Sequence, residues 1–225
     1  MYTGKGQVVE LILENGLRHA RISCAVKLIP APGQYLLAGA ASQADLLPVS
    51  LFSTESTLKG FTACAPVPET WTPGTELTLR GPLGHGFALP PSAQKVALIT
   101  YDDSPARLQG LLHVALKQGA AIVLVCDSSE SQLPDDVEVQ PLSALGEVLE
   151  WADYTAFDVA RENLFELKQM IGGQNQMPAK NEAQVLIHTM MPCGGVAECG
   201  VCAVTLKSNW KLTCKDGPVF DWGEF

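Results

Sequence analysis

The sequence predicts a multidomain chain of the α+β and α/β classes. It opens with an antiparallel β-barrel, continues as an α/β middle domain and ends in a small C-terminal lobe. Three observations carry this. Short apolar segments between Gln7 and Pro91 are punctuated by Asn15-Gly16, Pro32-Gly33 and Pro73-Gly74, the turn pairs that join short strands in small barrels. From Lys95 onward the pattern changes to strand, helix, strand. Four of the seven cysteines crowd into the 22 residues from Cys193 to Cys214. The expected boundaries are 1–91, 92–173 and 174–225.

In the first zone the expected strands run from Val8 to Glu14, Ala20 to Leu28, Gln34 to Ala38, Gly60 to Pro66 and Glu76 to Arg80. Ala88 to Ala93 is a Pro-containing linker. Lys95 to Thr100 then reads as a buried strand. Ser104 to Gln118 reads as a helix with Leu108, Leu111, Leu112 and Leu116 on one face, and Ala120 to Cys126 as a second buried strand. That βαβ unit implies a parallel, Rossmann-like sheet. A helix over Leu142 to Trp151, a strand over Tyr154 to Val159 and a helix over Arg161 to Ile171 follow. Gly172-Gly173 caps the last helix, and a polar linker runs from Gln174 to Glu182.

Hydrophobic residues make up 47% of the 225 and charged residues 17%, enough apolar material for a sizeable core. The net charge of −9 argues against a nucleic-acid or anionic-membrane footprint, because like charge repels phosphate. No apolar stretch reaches the length of a membrane span, and the N-terminus lacks the apolar region of a signal peptide. The chain therefore reads as cytoplasmic. Cys24, Cys64 and Cys126 lie in apolar surroundings and read as small core side chains.

The other four need a different account. Cys193, Cys199 and Cys202 sit on a loop containing Gly194, Gly195 and Gly200, and Cys214 follows eleven residues after Cys202. Three thiolates on a glycine-rich loop with a distant fourth suit a [2Fe–2S] cluster, since glycines let backbone N–H groups turn toward the sulfurs. The first gap holds five residues where the plant-type ferredoxin spacing has four. The rival is a structural zinc held by four cysteines, which usually come in two short knuckles; here there is one.

Met191 to Cys202 together with Cys214-Lys-Asp-Gly-Pro-Val-Phe220 resembles the C-terminal end of the electron-transfer subunit of heterotetrameric dihydroorotate dehydrogenase. Pro32-Gly33-Gln34-Tyr35 resembles the strand leading into that family's flavin site. Gly81-Pro-Leu-Gly-His-Gly-Phe87 resembles the loop closing its barrel. The resemblance implies a ferredoxin-reductase-like barrel binding FAD, a Rossmann-like domain binding NAD, and a cluster relaying electrons to FMN in a catalytic partner. It implies flavin contacts at Pro48, Val49, Ser50, Gly81, Pro82, Leu83 and Gly84. Dihydroorotate oxidation, a step of pyrimidine biosynthesis, follows from the likeness alone.

The departures alter the expectation. The family's Arg-Pro-x-Ser flavin motif reads Leu47-Pro48-Val49-Ser50 here, without the arginine that would neutralise a pyrophosphate. A Gly-Thr segment is replaced by Val67-Pro-Glu-Thr-Trp71. After Thr100 the chain offers Tyr101-Asp102-Asp103-Ser104-Pro105, with no glycine and two carboxylates where a dinucleotide would need neither. Those residues read as a helix cap. The later Cys-Gly-Pro is replaced by Asp158-Val159-Ala160. NAD binding is thus not expected.

The sequence offers no Ser–His–Asp, carboxylate-pair or metalloprotease pattern. His19, His85, His113 and His188 read as structural or loop residues, and Glu198 as a charge beside the cluster or a solvated loop residue. The aromatic residues Phe220, Trp222 and Phe225 are expected to cover the cluster or anchor a partner, with core packing favoured for Phe220. The functional expectation is an electron-transfer component of an oxidoreductase, not an independent catalyst. Its partners would be a catalytic oxidoreductase subunit in a hetero-oligomer and a ferredoxin or other redox protein. The alternatives are a non-redox assembly subunit with a zinc or vestigial cluster, and a stand-alone NAD(P)H–flavin reductase.

Overall fold

The computed structural model describes all residues except 15–16, 41–46, 65–66, 102–103, 128–132, 173–176 and 179. The Asn15-Gly16 turn, Pro66, Asp102-Asp103, Gly173 and part of the expected 174–182 linker therefore lie outside the described residues.

Six strands close an antiparallel barrel: β1 (Tyr2–Glu14), β2 (Leu17–Cys24), β3 (Tyr35–Ala40), β4 (Val49–Thr57), β5 (Gly60–Cys64) and β6 (Glu76–Leu83), in the order β1-β2-β5-β4-β3-β6. β1 makes closure possible. Residues Tyr2–Gln7 pair with β6 and Gly6–Glu14 with β2, the two stretches overlapping at Gly6 and Gln7, with a register shift at Val8/Glu10 just beyond the overlap. A bulge of this kind bends a strand sharply enough to serve two neighbours. Inward residues of alternating strands fill the interior, including Ile22, Leu36, Leu51, Phe61 and Leu79. The segment Val67–Trp71 contributes here too: Trp71 is fully buried in the barrel core while Glu69 faces solvent. Its apolar ends make it a plug for the barrel.

The sequence reading passed over β4. Leu51, Phe52, Ser53 and Thr54 are buried in succession, and the register shifts between Ser53 and Glu55. The period-two alternation that would betray a half-buried strand is broken there.

A second sheet has the order β14-β11-β10-β7-β8-β9. Its strands are β7 (Lys95–Thr100), β8 (Ala121–Val125), β9 (Val137–Gln140), β10 (Tyr154–Ala160), β11 (Glu182–His188) and β14 (Val219–Asp221). All pairs are parallel except β11 with β14. Three helices cover it: α1 (Gln109–Gln118), α2 (Leu145–Trp151) and α3 (Leu164–Gly172). Every residue of β10 is buried, as a central parallel strand between two helical layers must be. Leu108, Leu111 and Leu112 pack on one face of the sheet; Leu145, Leu149 and Leu167 pack on the other. Ser104 accepts from the Ala106 amide with Pro105 at the first position, the cap expected of those residues.

The expected third zone, from residue 174, is not spatially separate from the second. β11 and β14 flank its cysteine segment in sequence, yet both hydrogen-bond into the six-stranded sheet. The physical reason is the apolar run Val185–Ile187, fully buried, which needs strand neighbours and helical cover. Only the insertion between β11 and β14 stands apart. It holds the hairpin of β12 (Ala203–Thr205) and β13 (Trp210–Leu212) and the one-turn helix α4 (Thr213–Asp216). The aromatic tail closes on the sheet, not on the cysteines. Trp222 lies 4.9 Å from Phe157, and Phe220 meets Phe225 edge-on at 6.1 Å. Among the described residues no helix is long and apolar enough to cross a membrane.

Candidate functional site

The cysteine loop follows directly from β11. Gly194, Gly195, Ala197 and Gly200 have φ of 64°, 67°, 65° and 70°. Left-handed residues so close together curl the backbone into a concave nest with its N–H groups turned inward. Glycine supplies three of them freely. Ala197 adopts the conformation against its preference, the kind of local strain that surrounding contacts must hold. It is the fourth of the five residues between Cys193 and Cys199.

The eleven residues before Cys214 are taken up by the β12–β13 hairpin. Ala203 pairs with Leu212, and the Thr213 amide donates to the Cys202 carbonyl at 3.0 Å. That returns Cys214 to the side of Cys202. The Asp216 carboxylate accepts from the Leu212 amide at 2.9 Å and fixes α4.

The four thiols form two pairs. Cys193 hydrogen-bonds Cys199, and with the amides of Glu198, Cys199 and Val196 this lowers Cys193 to about 6, against an opposing effect of burial. Cys214 hydrogen-bonds Cys202. Burial first, then that bond and the charges of Cys202 and Cys193, push Cys214 up to about 12, partly relieved by the Ala197 amide. The first pair lies toward solvent, with Cys199 exposed, and the second is buried. Among the described residues no three His, Cys, Asp or Glu side chains converge tightly enough for a single ion. Two pairs of thiols, with amides directed at sulfur, make a four-cysteine set of the kind that holds an iron–sulfur cluster or a structural zinc. Thr213 adds to the fit: its fully buried hydroxyl, next to Cys214 in sequence, has no hydrogen-bond partner. A cluster sulfide or its thiolates would be an acceptor for it.

The barrel forms the floor beneath this loop. Tyr35, fully buried, donates from its hydroxyl to the Cys214 carbonyl at 2.8 Å. Burial and the neighbouring cysteine charges raise its pKa. Leu37 and Phe52 of the barrel pack with Met191, Cys202, Leu212 and Cys214. Arg80 on β6 donates to the Gly194 carbonyl. Between barrel and loop lies a cleft of about 390 Å³, reached from the barrel by Pro48, Thr78 and Arg80 and from the loop by Pro192, Cys193 and Val196.

The residues expected at a flavin divide on this geometry. Pro48 lines the cleft. Val49 packs toward the barrel core. Ser50 pairs with Leu37 in the row that also holds Arg80. Gly81 abuts Tyr35 and Leu36 of β3, whereas Gly84 meets the segment after Cys214. A Cβ on Gly84 would lie 2.4 Å from the Gly217 carbonyl, and the His85 amide donates to that carbonyl at 2.7 Å. His85 also bonds the Asp216 carbonyl at 3.0 Å through Nδ1. This loop clamps barrel to cysteine segment.

Sequence reasoning missed a second constellation. Arg107 Nε lies 2.9 Å from both oxygens of Asp158, which is fully buried on β10, and Arg107 Nη2 lies 2.9 Å from Nε2 of His188, the last residue of β11. Arginine has no acceptor, so His188 Nε2 must accept. This network occupies the carboxyl ends of the central strands, where open parallel sheets take nucleotides. His113 bonds locally, to the Gln109 carbonyl, and His19 is buried. Glu198 is exposed.

The barrel, parallel sheet and cysteine insertion define a chain of ferredoxin-reductase-like fold with a four-cysteine insertion suited to an iron–sulfur centre. Its fold is shared with a chain of the NADH-dependent reduced ferredoxin–NADP oxidoreductase studied for flavin-based electron bifurcation. There the TM-score is 0.74 at 16% identity over 97% of this chain and 88% of that one. The ferredoxin reductase of carbazole 1,9a-dioxygenase matches with a TM-score of 0.66 at 16% identity, over 82% and 68% of the two chains. Ferredoxin–NADP+ reductase from Plasmodium falciparum matches with 0.57 at 9%, over 82% and 95%. Residues 188–225 match the model of the family described as the iron–sulfur cluster binding domain of dihydroorotate dehydrogenase B. The chain is thus similar to the electron-transfer subunit of that enzyme.

Proposed function

We propose that this chain is the electron-transfer subunit of an oxidoreductase complex. It holds a [2Fe–2S] cluster on Cys193, Cys199, Cys202 and Cys214 and a flavin in the adjoining cleft, and exchanges electrons with a catalytic partner subunit. The observation that carries the reading is the pairing of the four thiols beside a cleft whose lining joins Cys193 to Pro48. When bound, the cluster supplies one-electron transfer and the flavin exchange between one and two electrons.

The chain's own residues do the rest. Backbone N–H groups of Val196, Glu198 and Cys199 stabilise negative charge at the outer thiolate. Tyr35, Leu37 and Met191 pack under the buried pair and keep water from it. Pro48, Pro192 and Val196 give the cleft apolar walls suited to a planar ring. Exposed Cys199, with half-exposed Val196 and Val201 around it, is the side from which a protein partner would approach.

We further propose that nicotinamide dinucleotide is not the electron source. The crest of the sheet carries the Arg107–Asp158 ion pair and His188, and Asp158 is the residue standing where the related family has its nicotinamide segment. The donor or acceptor at that end would then be a ferredoxin or another redox protein. Dihydroorotate oxidation by the partner is the version of this function nearest to the matched family.

Anaerobic purification, with iron, sulfide, zinc and flavin assayed on one sample alongside its visible spectrum, is the test. Two irons and two sulfides per chain are expected, with substoichiometric zinc. Zinc without iron would replace the relay with a structural subunit. Dye reduction by NADH at ordinary enzymatic rates would overturn the proposal on nicotinamide.

A further inference from the structure

The cleft contains a cation that the sequence pattern does not lead one to expect. Leu37 of β3 pairs with Ser50 of β4 on one side and with Arg80 of β6 on the other. Residues directly opposite in neighbouring strands project from the same face of a sheet. Leu37 packs against Met191, Cys202 and Cys214, so that face is the one turned to the cysteine loop. Ser50 and Arg80 therefore flank Leu37 beneath the loop.

Arg80 is partly buried, and its guanidinium donates to the Gly194 carbonyl. Among the described residues it has no carboxylate partner. A guanidinium offers five N–H donors in a fixed fork, and one carbonyl leaves most of them undirected by the protein. A partly desolvated cation beside apolar walls is costly without an anion or strong acceptors. Besides the Gly194 carbonyl, the lining offers the guanidinium the Cys193 sulfur, which the proposed cluster would engage, the Thr78 hydroxyl and apolar side chains, so no protein carboxylate meets its outward edge. Leu47, at the position where the related flavin motif has arginine, is 56% exposed and absent from the lining.

We propose that Arg80 is the cation that binds the flavin nucleotide in this cleft, approaching from β6 in place of the arginine missing at Leu47. One edge of its guanidinium holds the loop at Gly194 and the other faces the ligand. Thr78, two residues along β6 on the same face, adds a hydroxyl to that side. Arg80 is thus a binding residue of the cleft. The inference rests on the proposed flavin cleft, and the experiment separates the two.

The full chain carrying its cluster is dialysed to equilibrium against FAD and, separately, FMN, for wild type, R80Q and R80K. Iron and sulfide are counted on the same samples. The expected result is flavin uptake by wild type and at least tenfold weaker binding by R80Q. R80K should fall between them, with iron content equal in all three. Equal flavin affinity in wild type and R80Q overturns the role of Arg80 while leaving the flavin cleft standing. No uptake of either flavin by wild type overturns both. Loss of iron together with flavin in R80Q and R80K alike makes Arg80 a prop of the loop and overturns its assignment to the flavin.

Discussion

Replacing Asp158 by asparagine should remove a large part of the stability of the parallel sheet. The carboxylate is fully buried, and Arg107, its partner, is 13% exposed at the side chain. This is not a surface pair, for which the loss would be about 0–1 kcal/mol. D158N keeps the shape and removes the carboxylate charge that Arg107 faces in the buried pair. Breaking one side of a buried pair costs about 3–5 kcal/mol. For a chain of this size that corresponds to a fall in Tm of about 6–20 °C. The double variant R107L/D158L removes both charges and should recover much of the loss, since apolar replacements of buried pairs are often neutral. A double-mutant cycle by urea unfolding, followed through the far-UV signal, reads the coupling directly. It should exceed about 2 kcal/mol, well above the 0.3–0.5 kcal/mol within which independent sites add. A D158N loss below about 1 kcal/mol would show that water reaches the pair, and the argument from burial would be refuted.

Three other outcomes follow from particular contacts. Burial, the largest influence, raises the Cys64 thiol from 9.0 to about 11, with Asp158 adding and Arg107 opposing. The folded state thus favours the neutral thiol. Its contribution is complete below pH 9, falls as pH rises from 9 to 11 and is then gone, amounting to about 2–3 kcal/mol at 1.36 kcal/mol per unit. C64A should flatten the alkaline limb of the stability–pH curve over that range; an unchanged limb would assign the slope to other groups. G84A places a methyl 2.4 Å from the Gly217 carbonyl at a φ of 72°, a strain of about 1–3 kcal/mol. It should speed iron release from the purified protein, and an unchanged release rate would show that the clamp between barrel and cysteine segment carries no load. Y35F removes the donor to the Cys214 carbonyl at nearly constant shape. A cost of about 1–2 kcal/mol in thermal unfolding is expected, and no change would mean that water or another donor substitutes.

How much of this was legible in the sequence depends on whether the interacting residues are near one another along the chain. The cysteine loop is local. Its glycines, the short gap to Cys202 and the hairpin-length stretch to Cys214 all lie within one segment, and glycine is the residue type that permits the left-handed φ values at Gly194, Gly195 and Gly200 without strain. The buried strands β7, β8 and β10 were legible for a similar reason: each is a short apolar run bounded by breaks. β4 was not, because its bulge destroys the alternation, and β9, β12 and β14 are too short to show a period. Arg107, Asp158 and His188 come from a turn and two strands separated by 51 and 30 positions. Only parallel pairing, which sets Ala160 opposite His188, brings them together. Arg80 is the sharper case. In sequence it is one charged residue at the end of an alternating strand, indistinguishable from a solvated position. Closing the barrel sets it across Leu37 from Ser50, and the insertion from the distant sheet then roofs it with Gly194. A motif scan sees that an arginine is missing at position 47. Whether charge is missing from the cleft is a property of the closed sheet, and there β6 supplies a cation that β4 lacks.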